Sequence, residues 1–301
     1  MADLTGQLAF VTGGGHGLGR AMAIGLARQG AEVLVASRRP GPLLEVVQEI
    51  EAAGGRAAAL PADLTDLEAV REVSRQITER YGALDILVLS AGGGRFLSIE
   101  ETSPEEAAAI MASRYLSAFY VIRLLIGPML KRNRGRIVII GSSFAWLHSF
   151  NVAYKAAAHA LFGLAQSLET DLYDTNLQVL YVEPPPIRPL TTFFVHNPGT
   201  AQRLPAFYWR FTWTADQLVA RVLAAMASGR SYVSHPLVRL LRPLYPLMAG
   251  PLLWFSRRQF PSPADGGPIS GWRQSAAETA SDGAPAEAEP ALSSLGEPSG
   301  R

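Results

Sequence analysis

Near its amino end the chain reads Thr12-Gly13-Gly14-Gly15-His16-Gly17-Leu18-Gly19. Glycine at 13 permits a tight turn, glycine at 17 lets the backbone approach a bound group, and glycine at 19 lets the next helix pack close on the preceding strand. A helix starting at such a turn offers unpaired backbone N–H groups and a partial positive charge, which suits a diphosphate. The plainer reading is an ordinary glycine-rich turn. Against it stands the context, between a strand and a helix inside a strand–helix–strand unit. A second cluster, Ser37-Arg38-Arg39, follows the second strand. Guanidinium groups there can hold a further phosphate, or can simply be solvated loop residues.

The apolar pattern supplies the frame for these residues. Residues 8–12 (LAFVT) form a short apolar run that predicts a buried strand feeding a helix over 18–29. Further strands are predicted at 32–36 (EVLVA), in RAAALPADLTD, in LDILVLSAGG, in RIVIIGSS and in LQVLYVEP. Helices are predicted between them at about 41–53, 66–81, 104–131 and 152–173, the first ending at Gly54-Gly55. Strands alternating with helices predict an α/β fold, a doubly wound parallel sheet of Rossmann type in a single domain.

Beyond Pro184 the pattern changes. Residues 184–213 combine prolines with Phe193, Phe194, Phe207, Tyr208, Trp209, Phe211 and Trp213. A helix resumes after Thr214, a good N-cap, and runs to about Ser228, followed by a short strand in SYVSH. The domain is expected to span 1–235, with a small apolar helical extension at 236–260 and a disordered tail at 261–301, rich in Pro, Ser, Ala, Gly and Glu. Pro243–Ser256 carries no charge but is too short for a bilayer span, which needs about 20 residues. With Arg239, Arg242, Arg257 and Arg258 around it, 236–259 fits a peripheral membrane contact, and equally a dimer contact or a lid.

Net charge is +1, from 27 Lys+Arg against 26 Asp+Glu, which gives no electrostatic case for nucleic acid. Cysteine is absent, so disulfides and thiolate chemistry are excluded. No metal site is expected. The first residues lack a basic stretch leading into an apolar one, and a cytoplasmic location is expected.

The spacing T-G-x-x-x-G-x-G resembles the cofactor signature of the short-chain dehydrogenase/reductase family. The likeness continues in order over roughly residues 5–190. Asp63-Leu64 resembles the family's adenine contact, and Ser90-Ala91-Gly92 its N-A-G turn with Ser for Asn. Gly135-Arg136-Ile137-Val138 with Ser142 resembles the strand that delivers the active-site serine. Tyr154 with Ala160-Leu161-x-Gly163-Leu164 resembles the catalytic tyrosine helix, and Val182-x-Pro184 the segment beside the nicotinamide, with Ile187 following. The resemblance implies that Thr12, Gly13, Gly15, His16, Gly17, Leu18, Gly19, Ser37, Arg38, Arg39, Asp63, Leu64, Ser90, Ala91, Gly92, Tyr154, Pro184 and Ile187 hold a nicotinamide dinucleotide. NAD enzymes usually carry an acid at the end of the second strand for the ribose 2′-OH. Here Arg38, supported by Arg39 and His16, favours the 2′-phosphate of NADP over NAD.

By the same resemblance Ser142 holds the substrate oxygen and Tyr154 exchanges the proton, with Ser143 able to share the serine's role. The family's lysine four residues after the tyrosine is Ala158 here, and its supporting Asn falls at Arg114. Lys155 stands beside Tyr154 but about 100° round the helix. An alternative register makes Lys155 the lysine and Asn151 the tyrosine position; the gapless alignment keeps Tyr154 and loses the lysine. Without a neighbouring cation a tyrosine titrates near pH 10, so roughly one in a thousand is ionised at pH 7. Carbonyl reduction, which needs the neutral phenol, then suffers less than alcohol oxidation. Arg114 either refills the lysine's space and restores a charge beside Tyr154, or simply points elsewhere or fills the pocket. Pro185 replaces the usual glycine of Pro-Gly and stiffens that loop.

These residues lead to an NADP(H)-dependent reductase of a small hydrophobic carbonyl or alcohol substrate, expected as a homodimer or tetramer. Segment 184–213 is expected as the substrate lid, though its aromatics are equally read as core. Two other readings stay open: a catalytically impaired relative that binds NADP(H) as a sensor or partner protein, and a non-redox enzyme on the same fold.

Overall fold

Runs that are apolar throughout become strands buried on both faces, and helices with one apolar stripe cover them. The computed structural model describes residues 3–94, 97–145, 152–188 and 212–242, together with 247, 250, 251 and 254. The first half contains β1 (Leu8–Thr12), α1 (Gly17–Ala27), β2 (Glu32–Ala36), α2 (Pro40–Ala52), β3 (Arg56–Ala59), α3 (Leu67–Arg80) and β4 (Ile86–Leu89). Then come α4 (Pro104–Met111), a π turn (Ala112–Leu116), α5 (Ser117–Lys131), β5 (Gly135–Ile140), a 3-10 turn (Ser143–Ala145), α6 (Val152–Asp171) and β6 (Leu177–Glu183). The last elements are β7 (Ile187–Arg188), β8 (Trp213–Thr214), α7 (Ala215–Ala227), β9 (Tyr232–Ser234) and α8 (Pro236–Leu241).

Seven strands pair in parallel in the order β3-β2-β1-β4-β5-β6-β9, the doubly wound Rossmann-type sheet that the sequence predicts. Side chains alternate across it. Ala9 and Val11 of β1 join the core made with Met22, Leu26, Val46 and Val222. Leu8 and Phe10 join the core on the opposite face, with Val121, Leu125, Met129 and Leu161. Strand order reverses between β1 and β4, and a sheet of this kind binds ligands in the crevice beyond the strand ends there. Thr12, the end of β1, stands opposite Leu89, the end of β4.

The sequence predicts a regular helix over 104–131; the structure interrupts it with the π turn. The whole stretch Pro104–Lys131 is long and apolar enough to cross a membrane, and it lies on the sheet through Val121, Ile122, Leu125 and Met129. Pro128 inside α5 cannot donate to the Leu124 carbonyl, and the Ser74 hydroxyl does so instead at 3.2 Å. Helix α7 starts with the expected Thr214 cap, completed by Gln217 into a reciprocal capping box.

Asp85 ties the amino ends of the central strands together. It is 6% exposed, accepts from the Leu8 N–H at 3.0 Å, and pairs with Arg134 at 2.8 Å. Asp85→Ala leaves a buried donor without its acceptor and is expected to cost about 1–3 kcal/mol of stability. That loss should appear as a lower urea midpoint at unchanged slope; an unchanged midpoint would count against the role given to Asp85.

The pairing of β7 with β8 sets Ile187 beside Trp213, at the two ends of the expected lid. Residues 189–211 of that lid, the tail from 261 and most of 243–259 lie outside the described residues. Where the extension is described, Leu240, Leu247 and Trp254 are exposed.

Candidate active site

The glycine run assembles a cradle at the switch point. The buried Thr12 hydroxyl accepts from the N–H groups of Ser90 and Ala91, both at 3.1 Å, fastening the turn after β4 to the end of β1. A Cβ on Gly13 would lie 2.8 Å from the Ser90 carbonyl oxygen, and one on Gly19 would overlap the Gly13 carbonyl. Gly17, by contrast, has φ +53° and open space where a Cβ would stand. His16, the N-cap of α1, makes no side-chain cap, and the helix has no acidic residue in its first turn. The cradle therefore fits a dinucleotide: tight where glycine must pack, open where a diphosphate would approach, and free of carboxylates at the helix start.

Cations border this cradle. Arg39 meets the His16 ring, Nη2 to Nε2 at 2.7 Å, across the opening. Arg38 is exposed and close enough to Asp63 for its charge to be felt there. Asp63 is held below the usual carboxylate range mainly by the Thr65 backbone N–H at 3.0 Å, with lesser help from the Thr65 hydroxyl and the Arg38 charge. Leu64 is 5% exposed and packs in the core, so it presents backbone rather than side chain to any ligand. Ser37 leans on the Arg39 carbonyl at 3.4 Å.

At the carboxyl end of β5, Ser142 and Ser143 are both buried. The Ser143 N–H donates to the Pro184 carbonyl at 3.1 Å, so the serine turn and the segment after β6 are bonded together. Ile187 is buried against Trp213 and α7. Tyr154 lies half-buried in the first turn of α6, against Gly94, where a Cβ would come within 2.6 Å of the tyrosine ring. Arg114, from the π turn, sets its guanidinium carbon 4.2 Å from the centre of that ring and donates to the Gly92 carbonyl at 3.3 Å. Tyr154 and Ala158 share one face of α6, and Ala158 is fully buried. Lys155 is in the same first turn, and burial lowers its pKa from the ordinary lysine value. Asn151, which the alternative register needs, lies outside the described residues. Thus the structure brings Tyr154, Arg114 and the Gly92 turn together.

Several neighbours escaped the sequence reading. Gly141, just before Ser142, has to be glycine because the Tyr181 hydroxyl fills the space of a Cβ. Burial raises the Tyr181 pKa, and the charge of Glu183 adds to the rise. Glu183 is 0% exposed; its Oε2 accepts from Ser234 at 2.9 Å and from the Tyr232 hydroxyl, which in turn accepts from Arg242 at 2.9 Å. A charged residue closing the apolar run Val179–Val182 was the signal for Glu183. A separate groove of about 970 Å³ runs between α1 and α7, along Arg20, Ile24, Val219 and Leu223, and includes neither Ser142 nor Tyr154.

Residues 7–197 match the short chain dehydrogenase family. The 2,3-dihydro-2,3-dihydroxybenzoate dehydrogenase of Bacillus subtilis (strain 168) is 33% identical over 182 residues, 60% of this chain and 70% of that protein. The 3-ketodihydrosphingosine reductase of Bos taurus is 32% identical over 191 residues, 60% of this chain and 57% of that protein. A metagenomic short-chain oxidoreductase solved in complex with NADP aligns at TM-score 0.64 and 27% identity, over 77% of this chain and 96% of that one. A dehydrogenase/reductase from Sinorhizobium meliloti 1021 aligns at TM-score 0.65 and 33% identity, over 74% and 88%.

Proposed function

The chain belongs to the short-chain dehydrogenase family, and from that premise we propose that it is an NADP(H)-dependent oxidoreductase reducing a hydrophobic carbonyl compound. The oxidoreductase class and a nicotinamide cofactor go with the family. The preference for NADP, the direction and the substrate are our reading. One observation carries it: Tyr154 packs on the glycine turn beyond β4, at the same sheet edge as the cradle after β1, which would set its phenol beside a dinucleotide bound there. The hydrophobic substrate has support from a relative named for reduction of 3-ketodihydrosphingosine, a ketone.

The bound nicotinamide would supply or accept a hydride. Everything else falls to the protein. Gly13, Gly17, Gly19 and the start of α1 would hold the diphosphate, and Arg38, Arg39 and His16 the 2′-phosphate. Ser142 would donate a hydrogen bond to the substrate oxygen, and its burial would keep water from competing for that oxygen. Tyr154 would give the same oxygen its proton.

The cofactor preference can be tested by itself. A charge-assisted hydrogen bond is worth about 1.5–3 kcal/mol, so Arg38→Ala is expected to weaken NADPH binding roughly tenfold to a hundredfold. NADH, which lacks the 2′-phosphate, should bind as before. Equal weakening of both dinucleotides would remove Arg38 from this role.

Ala158, fully buried at the position that the resemblance gives to the family's lysine, favours a second reading: a relative that binds NADP(H) but turns over slowly or not at all. Titration of the purified chain with NADPH and NADH, then a scan of hydrophobic ketones for NADPH consumption, separates the two. Binding with turnover supports the reductase, and binding without turnover of any ketone supports the second reading. Failure to bind either dinucleotide would sink both.

A further inference from the structure

Arg114 is 5% exposed, and a guanidinium cannot shed its charge. A buried cation needs a counter-charge or a polarisable partner, because it has given up water. No ion pair among the described residues includes Arg114. Its Nη1 reaches the Gly92 carbonyl, and its Nε is buried without an acceptor. What lies on the guanidinium is the ring of Tyr154, 4.2 Å from its carbon.

The surrounding backbone is shaped to this contact. The π turn Ala112–Leu116 contains Arg114 and changes its aim relative to a regular helix. Gly92 adopts φ +105°, and a Cβ there would come within 2.5 Å of the Arg114 Cγ. On α6 the position one turn after Tyr154 is the fully buried Ala158, which brings no charge of its own.

We propose that Arg114 is a positioning residue acting through Tyr154: it stabilises the phenolate left when the tyrosine hydroxyl gives its proton to the substrate oxygen. The proposal rests on the reading of Tyr154 as the proton donor. Reduction adds a hydride at the carbonyl carbon, from the reduced nicotinamide, and a proton at the oxygen, from Tyr154. The tyrosine is then an anion until solvent returns a proton. Phenolate charge spreads into the ring, so a cation over the ring face gains more from the phenolate than from the phenol. Among the described residues, the other titratable groups on α6 and on the elements packed against it are Lys155, His159, Glu169 and Asp171 of α6 itself, Glu105 and Glu106 of α4, Tyr115 of the π turn, and Tyr181 and Glu183 of β6.

The test has two arms. In the first, tyrosinate absorbance is followed against pH in the purified protein without substrate, and the Tyr154→Phe protein is subtracted to isolate Tyr154. In Arg114→Met the Tyr154 signal is expected to move to higher pH, and Arg114→Lys is expected to restore it in large part. In the second arm, Arg114→Met is expected to lower kcat roughly 10²-fold, the lower end of general acid–base effects. NADPH affinity should stay within a few-fold. The same substitution in Tyr154→Phe should cost nothing further, and adding Ala158→Lys to Arg114→Met should recover part of kcat. An unshifted Tyr154 signal, or an equal loss in the Tyr154→Phe background, overturns the proposal. If the wild type consumes no NADPH with any ketone, the reductase reading fails while the absorbance arm still decides this one.

Discussion

The Gly19→Ala protein is expected to bind neither NADPH nor NADH measurably and to unfold at lower denaturant than the wild type. A Cβ at this position would overlap the Gly13 carbonyl oxygen and lie 2.7 Å from its carbon and 3.2 Å from the Gly14 nitrogen. All three are backbone atoms, so no rotamer change relieves the clash. Helix α1 must move off β1, or the turn at Gly13 must open. Overpacking of this kind costs typically about 1–3 kcal/mol. The effect on the ligand is larger. A diphosphate held by several backbone N–H groups loses them together when the cradle opens, and two charge-assisted hydrogen bonds correspond to roughly a hundredfold or more in affinity. Gly41→Ala makes a suitable control, because no atom stands within 4 Å of its would-be Cβ. Calorimetric titration with both dinucleotides reads the result, and wild-type affinity in Gly19→Ala would mean that the dinucleotide sits elsewhere.

For Tyr154→Phe the expected outcome is a fall of about 10²- to 10⁴-fold in kcat, with NADPH binding changed by no more than a few-fold. The substitution removes one oxygen and keeps the ring that packs on Gly94 and carries the Arg114 guanidinium. Folding and cofactor binding should therefore survive, and the loss should fall on the proton-transfer step. Alcohol oxidation, which needs the phenolate as base, should suffer at least as much as ketone reduction. Turnover within tenfold of wild type would show that another group delivers the proton.

The strands and most helices were legible because each carries a local signature: an unbroken apolar run in β1, β4 and β5, a cap at Thr214, glycines where β1 turns into α1. The cradle was legible for the same reason, since only glycine permits its close approaches. The π turn was not, because one added residue in a helical turn leaves no mark in residue type. Nor was the position of Arg114. The sequence posed a choice between a charge beside the tyrosine and an arginine that is turned away or merely fills the pocket. The structure puts the guanidinium on the ring face, a placement set by how the π turn meets α6. Tyr181 and Glu183 were missed because their roles come from strands distant in sequence. Tyr181 constrains Gly141 across the β5–β6 pairing, and the Glu183 Oε2 accepts from Tyr232 and Ser234 across the β6–β9 pairing.

The wide turn at Ala112–Leu116 also puts the two halves of the long helix out of phase by one position. In an α-helix each residue advances about 100° around the axis. Deleting a single residue here would let the stretch close up into regular winding and swing Arg114 a quarter-turn or so relative to α5, off the tyrosine ring. The contact thus depends on chain length in this turn as much as on the presence of arginine. Relatives that carry an arginine at the aligned position but lack the extra residue would have no such pairing, and a comparison of residue types alone would not tell the two cases apart.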